Sequence, residues 1–174
     1  MNYSRLLAIL SLIIGVSLFR FLPHPPNFTP VLAVALFAGA QFTDKRLAML
    51  VPLLAMFIAD IFLGLHATVP FVYGAIAIVT LLGMGLQRRR NITRTTATAV
   101  AGSLIFFIVS NFGAWLTMPE LYSRTTAGLF SAYIAAIPFY QNELAGTLLF
   151  SALLFGVFYG LERSFPRLVE PAAG

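Results

Sequence analysis

Apolar runs long enough to cross a membrane follow one another along most of this sequence. Of its 174 residues, 59% are hydrophobic and only 10% are charged. Soluble domains usually carry about a quarter of charged residues. An apolar run of about 20 residues spans the hydrocarbon core as a helix, because backbone polar groups there must be bonded within the segment. The sequence therefore predicts an all-α membrane protein that forms a single bundle.

Six apolar runs predict six transmembrane helices, and a seventh run predicts a helix of another kind. The predicted spans cover residues 6–22, 29–42, 47–65, 71–86, 95–117 and 144–161. The second span has only about 14 residues, which is roughly 21 Å of helix against about 30 Å of hydrocarbon. The seventh run, Thr126–Tyr140, is predicted to lie on the outer face as an interfacial or re-entrant helix.

The positive charges predict the orientation of the bundle. With the N-terminus in the cytoplasm, nine of the eleven Lys and Arg residues lie inside, as the positive-inside rule requires. Arg20 and Arg124 remain outside. This distribution holds only if Thr126–Tyr140 does not cross, so both termini are predicted in the cytoplasm. The basic loops then account for the net charge of +5 without a nucleic-acid partner.

A proline-rich stretch, Leu22–Pro30, precedes the short second span. It contains four of the ten prolines, together with His24 and Asn27. Because the span after it is too short to reach both surfaces, the stretch is predicted to begin below the outer surface. Irregular backbone at that depth occurs where protein buries it or where a wet cavity touches it. We therefore predict that it covers an outward-opening pocket; a plain external turn is the alternative.

Polar side chains collect at the outer ends of the predicted spans, whereas the inner halves hold almost nothing ionisable. Such groups usually face a bundle interior or a cavity. Asp60 is interpreted as a ligand contact, as the acceptor that orients His24 or Tyr73, or as the ion-pair partner of Arg20. The predicted substrate-binding residues are His24, Asn27, Asp60, Tyr73, Asn111, Trp115 and Asn142.

Two of these residues belong to an aromatic strip. Asn111 and Trp115 lie one helical turn apart and share a face of the helix. Together with Phe107 they form a strip of one amide and two aromatic side chains, which suits a flat organic ligand. The alternative is a Trp anchor at the interface together with a helix–helix hydrogen bond. The polar run 141–143 (Gln-Asn-Glu) predicts either the rim of the pocket or a solvated cap of the last span.

No motif for an enzyme or an energy-coupling domain is present. The chain has no cysteine, no P-loop, no dinucleotide fingerprint and no GxSxG. His24, His66 and Asp60 would suit zinc, but their spacing does not support a metal site, so no catalytic residue, metal or cofactor is predicted. Two alternatives to a binding protein stay open: a membrane enzyme that uses Asp60 with His24 or His66, and a structural or assembly subunit.

Small residues four positions apart allow helices to approach closely. Ser11 and Gly15 form such a pair in the first span, and Gly156 and Gly160 form one in the last. The second pair is predicted to pack within the bundle.

Three segments, Arg20–Pro30, Pro70–Gly74 and Ala135–Phe139, together with the small size and the short second helix, resemble the S components of ECF-type vitamin transporters. These are substrate-binding membrane subunits, and the resemblance covers most of the chain. It implies uptake of a small vitamin-like molecule from the outer side by a protein that topples in the bilayer. Such a protein acts alone or on a coupling protein with ATPases, on which Ser11 and Gly15 would dock.

The resemblance also raises cobalamin as the transported ligand. S components of this branch that act alone on vitamin B12 hold its cobalt through a cysteine. This chain has no cysteine. Either the ligand is a different molecule, or His24 or His66 takes that role, since imidazole is a good ligand for such a metal.

Overall fold

The computed structural model describes residues 1–87 and 90–169, and this part contains six α-helices and no strand. The helices are α1 (Tyr3–Ser17), α2 (Val31–Gln41), α3 (Lys45–Leu63), α4 (Val69–Met84), α5 (Ile92–Thr117) and α6 (Thr126–Ser164). A short 3₁₀ helix, Leu18–Phe21, follows α1. Arg88 and Arg89, which contribute to the predicted orientation, lie outside the described residues.

The all-α prediction is confirmed. In the part of the chain that the structure describes, four helical segments are long and apolar enough to cross a membrane: α1 with its 3₁₀ turn, α3, α5 and α6. The other two helices, α2 and α4, are apolar but shorter. The chain is therefore compatible with a multi-pass membrane protein, while the crossing of all six predicted spans stays a prediction.

The short helix α2 forms the centre of the bundle. Ten of its eleven residues, Leu32–Gln41, are buried, and it contacts α1, α3, α4, α5 and α6. A helix that is apolar on every side is one that other helices surround. The short second span that the sequence predicted is thus a helix that other helices enclose.

A close helix crossing joins α2 to α4 through two glycines. A Cβ atom at Gly39 would overlap the carbonyl oxygen of Thr80, and one at Gly83 would overlap the carbonyl oxygen of Leu36. Only glycine at both positions lets the two backbones touch, as in other membrane helix pairs.

The predicted packing of Gly156 and Gly160 within the bundle is wrong. Both residues are exposed, and no heavy atom lies within 4 Å of a Cβ built at either position. Ser11 and Gly15 are exposed too, with equally open space at Gly15. Small residues four positions apart therefore did not identify the close contact, which is formed by Gly39 of α2 and Gly83 of α4.

The last helix differs from its prediction. The sequence predicted a surface helix over 126–140 and a separate span over 144–161, whereas the structure has one continuous α6 of 39 residues that includes Pro138. At 1.5 Å per residue it is roughly 58 Å long, well beyond the hydrocarbon thickness. Residues 141–143 therefore lie inside a helix, and their interpretation as a solvated cap is wrong.

A buried polar cluster occupies the end of the bundle opposite the proline-rich stretch. Arg5 is 3% exposed and donates to Glu162 Oε1 at 2.7 Å, to Leu168 O at 2.5 Å and to Gln41 Oε1 at 2.9 Å. Arg90 donates to the same Gln41 oxygen at 2.6 Å. The ionisable members of this cluster flank the predicted spans, and Arg5 joins α1, α2 and α6.

Candidate functional site

The proline-rich stretch forms a tight turn. Phe28 N donates to Pro25 O at 3.0 Å, and Asn27 has a φ of 63°. A type II turn favours proline at its second position and a residue that tolerates positive φ at its third. Pro26 and Asn27 meet both demands, so the local sequence specifies the turn.

Two residues of α6 hold this turn against the bundle. Asn142 Nδ2 donates to Pro26 O at 3.0 Å. At Gly146, an added Cβ would lie 3.0 Å from Thr29 N, which is closer than most side chains tolerate. The lack of a side chain at Gly146 thus lets the turn approach α6.

A cavity of about 60 Å³ lies between α5 and α6 beside this turn. That is room for several water molecules, since each needs about 10–15 Å³ of such space. Its lining includes four aromatic residues: Phe106, Phe107, Phe139 and Tyr140. The polar lining residues are Asn27, Ser110, Asn111 and Glu143. We call this cavity the α5–α6 pocket.

Glu143 is the most unusual residue of the α5–α6 pocket. It is only 5% exposed. Its Oε1 accepts hydrogen bonds from Ser103 Oγ at 3.1 Å and from Thr147 Oγ1 at 2.7 Å. Its Oε2 is buried and has no hydrogen-bond partner among the described residues. Nearly all buried polar atoms in proteins are bonded, so this oxygen requires an explanation.

The α5 side of the pocket is held in place by bonds within the helix. Ser110 Oγ donates to Phe106 O, and Asn111 Nδ2 donates to Phe107 O, each at 2.7 Å. The Phe107 ring lies 5.0 Å from the Tyr140 ring across the helix pair. Residues from both helices therefore form one aromatic wall.

Asp60 and Tyr73, two of the predicted site residues, belong to a separate cluster. Asp60 is 1% exposed; its Oδ1 lies 3.1 Å from Arg20 Nη2, and its Oδ2 accepts from Tyr73 OH at 2.9 Å. The ion-pair interpretation of Asp60 is present in the structure, as is its contact with Tyr73. Both carboxylate oxygens are thus occupied by protein groups.

The two histidines have other partners. His24 stacks on Phe19 with ring centroids 5.5 Å apart, and its Nδ1 lies 3.0 Å from Pro25 O. His66 Nδ1 lies 2.7 Å from Thr68 Oγ1. Within residues 1–87 and 90–169, no group of three His, Asp or Glu side chains is placed to hold a metal ion.

Trp115 secures the loop between α5 and α6. Its Nε1 donates to Ser123 O at 3.0 Å, and its ring lies 5.5 Å from that of Phe112. Of the seven predicted binding residues, Asn27 and Asn111 line the α5–α6 pocket, and Asn142 holds the turn beside it. His24, Asp60, Tyr73 and Trp115 lie elsewhere.

Sequence reasoning placed Glu143 in a polar run at the pocket rim or in a cap, but did not include it among the predicted binding residues. The signal was available in the spacing of Ala136, Glu143, Thr147, Phe150 and Leu154, which are all buried on α6. Steps of three, four and seven residues mark one face of a helix. A helix break assumed at 141–143 conceals that face.

Comparison with known proteins gives one match. The sequence model of a family described as "Family of unknown function (DUF6580)" matches residues 1–168. No curated protein and no solved structure is detectably similar to the chain.

Proposed function

Because the chain belongs to the DUF6580 family, whose function is unknown, we propose its function from the α5–α6 pocket. The protein is an S-component-like membrane uptake protein. It binds a small vitamin-like organic molecule from the outer side and delivers it to the cytoplasm.

The unbonded Oε2 of Glu143 carries this proposal. Leaving a buried acceptor without a partner costs about 1–3 kcal/mol, and more for a charged group. That cost is expected where a ligand completes the bonding. Small-molecule sites typically combine apolar or aromatic walls with a few convergent polar groups, and the α5–α6 pocket brings aromatic and polar residues together.

The alternative functions receive less support. An enzyme that uses Asp60 with a histidine needs the two side chains together, whereas His24 and His66 contact other groups. A purely structural subunit would be expected to bond its buried polar atoms, as the Arg20–Asp60–Tyr73 cluster does. Neither alternative explains Glu143.

The volume of the pocket limits the size of the ligand. Sites for drug-sized molecules usually measure about 300–1,000 Å³, and the α5–α6 pocket has about 60 Å³. The ligand we propose is therefore small, or it enters as the turn at 25–28 moves away from α6. Cobalamin would need far more space than this arrangement offers.

We also propose that the proline-rich end of the bundle faces outward in a bacterial inner membrane, with both termini in the cytoplasm. The basic asymmetry of the loops supports this orientation. The exposed Ser11 and Gly15 then provide a face for an ECF-type coupling protein with ATPases; solitary action is the alternative.

Cysteine labelling tests this orientation, since the chain has no natural cysteine. Ser131 and Ser164 are both exposed on α6. In intact cells, an impermeant thiol reagent is expected to label Ser131→Cys and to leave Ser164→Cys unlabelled until the membrane is opened. Labelling of Ser164→Cys in intact cells would place residue 164 on the outer side and contradict the proposed topology.

Uptake can be tested by filling the pocket. Ser110→Phe places a ring in the α5–α6 pocket, whereas Ile108→Phe adds a ring on an exposed part of the same helix. Cells that express the wild type should deplete a small organic compound from a defined metabolite mixture. The Ile108→Phe cells should do the same, and Ser110→Phe should abolish depletion at equal membrane abundance. Equal depletion by both variants would show that the α5–α6 pocket is not required for uptake.

A further inference from the structure

We infer that the ligand of the α5–α6 pocket carries a protonated amine or a comparable N–H cation, which binds to Glu143 Oε2. This inference rests on the proposed function and specifies the class of its ligand. It draws on the fixed carboxylate, on the distribution of ion pairs and on the aromatic walls.

The carboxylate of Glu143 is held in one orientation. Two hydroxyl groups, from Ser103 on α5 and Thr147 on α6, donate to Oε1. The second oxygen, Oε2, is buried without a hydrogen-bond partner among the described residues, and Glu143 lines the pocket. An ionised carboxylate has only acceptor oxygens, so an ionised Glu143 requires a donor on the ligand atom that meets Oε2.

No Lys, Arg or His among the described residues forms an ion pair with Glu143. In residues 1–87 and 90–169, the ion pairs join Arg5 and Arg90 to Glu162, and Arg20 to Asp60. None of them involves Glu143. Buried charges in proteins are normally paired, because an unpaired charge in a medium of low polarity is costly. A cationic ligand would supply the missing partner, which a neutral donor would not.

The walls of the pocket favour an organic cation over a metal ion. The rings of Phe106, Phe107, Phe139 and Tyr140 line the space beside Glu143. Aromatic faces attract ammonium groups through their quadrupole. Hard metal cations take about six or more oxygen ligands, and among residues 1–87 and 90–169 no group of three His, Asp or Glu side chains is placed to hold one. An anion would meet Glu143 with like charge.

Two matched sets of probes test the inference on the detergent-purified full chain. One set is benzylamine, benzyl alcohol and benzoate; the other is ethylamine, ethanol and acetate. Each set keeps the shape similar while the charge changes from positive to neutral to negative. Because binding to the folded state raises the melting temperature, the dose dependence of Tm gives an apparent affinity. At least one amine should bind the wild type. The alcohol and the carboxylate of the same set should bind at least about tenfold more weakly than that amine, or not at all.

The variants separate charge recognition from folding. Glu143→Gln keeps the size of the side chain and should weaken amine binding about ten- to a hundredfold. Glu143→Asp keeps the charge and should retain the preference for amine over alcohol. Glu120 is an exposed acid outside the pocket, so Glu120→Gln should bind like the wild type.

Several results would overturn the inference. It fails if neither amine binds, if the alcohols bind as well as the amines, or if Glu143→Gln retains full amine affinity. It also fails if replacing potassium with sodium alone raises Tm in a Glu143-dependent way, which would assign Oε2 to a metal ion. The proposed uptake function is tested separately, by the depletion assay with Ser110→Phe. A finding that the ligand is neutral would contradict the inference about its charge but not the uptake function.

Discussion

Gly83→Ala is expected to destabilise the bundle by about 3 kcal/mol or more, at or beyond the upper end of typical overpacking costs. The added methyl group would overlap the carbonyl oxygen of Leu36 on α2. That carbonyl belongs to the backbone of a helix with contacts on every side, so it cannot move as a flexible side chain would. In detergent, this loss corresponds to a fall in Tm of roughly 6–12 °C.

Gly156→Ala is the matched control, because the same methyl group there meets no atom within 4 Å. Its stability should stay within about 1 kcal/mol of the wild type, the size of the helix-propensity difference between the two residues. Equal losses in the two variants would mean that the α2–α4 crossing is not the tight contact of this bundle.

Asp60→Ala is expected to cost about 3–5 kcal/mol of stability, because it leaves Arg20 largely buried without its anion. The Arg20 side chain is 13% exposed. Since Asp60 does not line the α5–α6 pocket, the ligand affinity of the folded protein should change little. Melting with and without benzylamine measures both quantities on one sample.

Tyr73→Phe provides the graded comparison for this cluster. It removes the single hydrogen bond from Tyr73 OH to Asp60 Oδ2 and should cost about 1.5–3 kcal/mol. If Asp60→Ala instead kept the wild-type Tm and abolished the ligand-induced shift, Asp60 would be a ligand contact and the pocket would be misplaced.

Features governed by local rules could be predicted from the sequence. The prolines and Asn27 specify a turn whatever surrounds it, and the short apolar run that follows becomes α2. Asp60 stood out because apolar residues flank it, and a buried carboxylate needs partners. Which of several partners it has depends on how α1, α3 and α4 pack, and the sequence alone left that open.

Features governed by long-range packing were missed or misplaced. Pro138 suggested a helix end, because a proline inside a helix removes one backbone donor and its ring clashes with the carbonyl four residues earlier. The structure nevertheless continues α6 through it. Spacing favoured Gly156 and Gly160, while Gly39 and Gly83 lie on different helices and form no pattern along the chain. The environment of Glu143 depends on how α5 and α6 pack, because Ser103 on α5 and Thr147 on α6 both donate to its Oε1.

The most direct test of the α5–α6 pocket is native mass spectrometry of the protein extracted gently from cells. The wild type should retain one small molecule with a basic nitrogen, identified after release. Glu143→Gln and Ser110→Phe should lose it, while Glu120→Gln and Ile108→Phe keep it. A bound molecule that all four variants retain equally, or a wild type that carries none even after incubation with a metabolite extract, would contradict the pocket as the site of ligand binding.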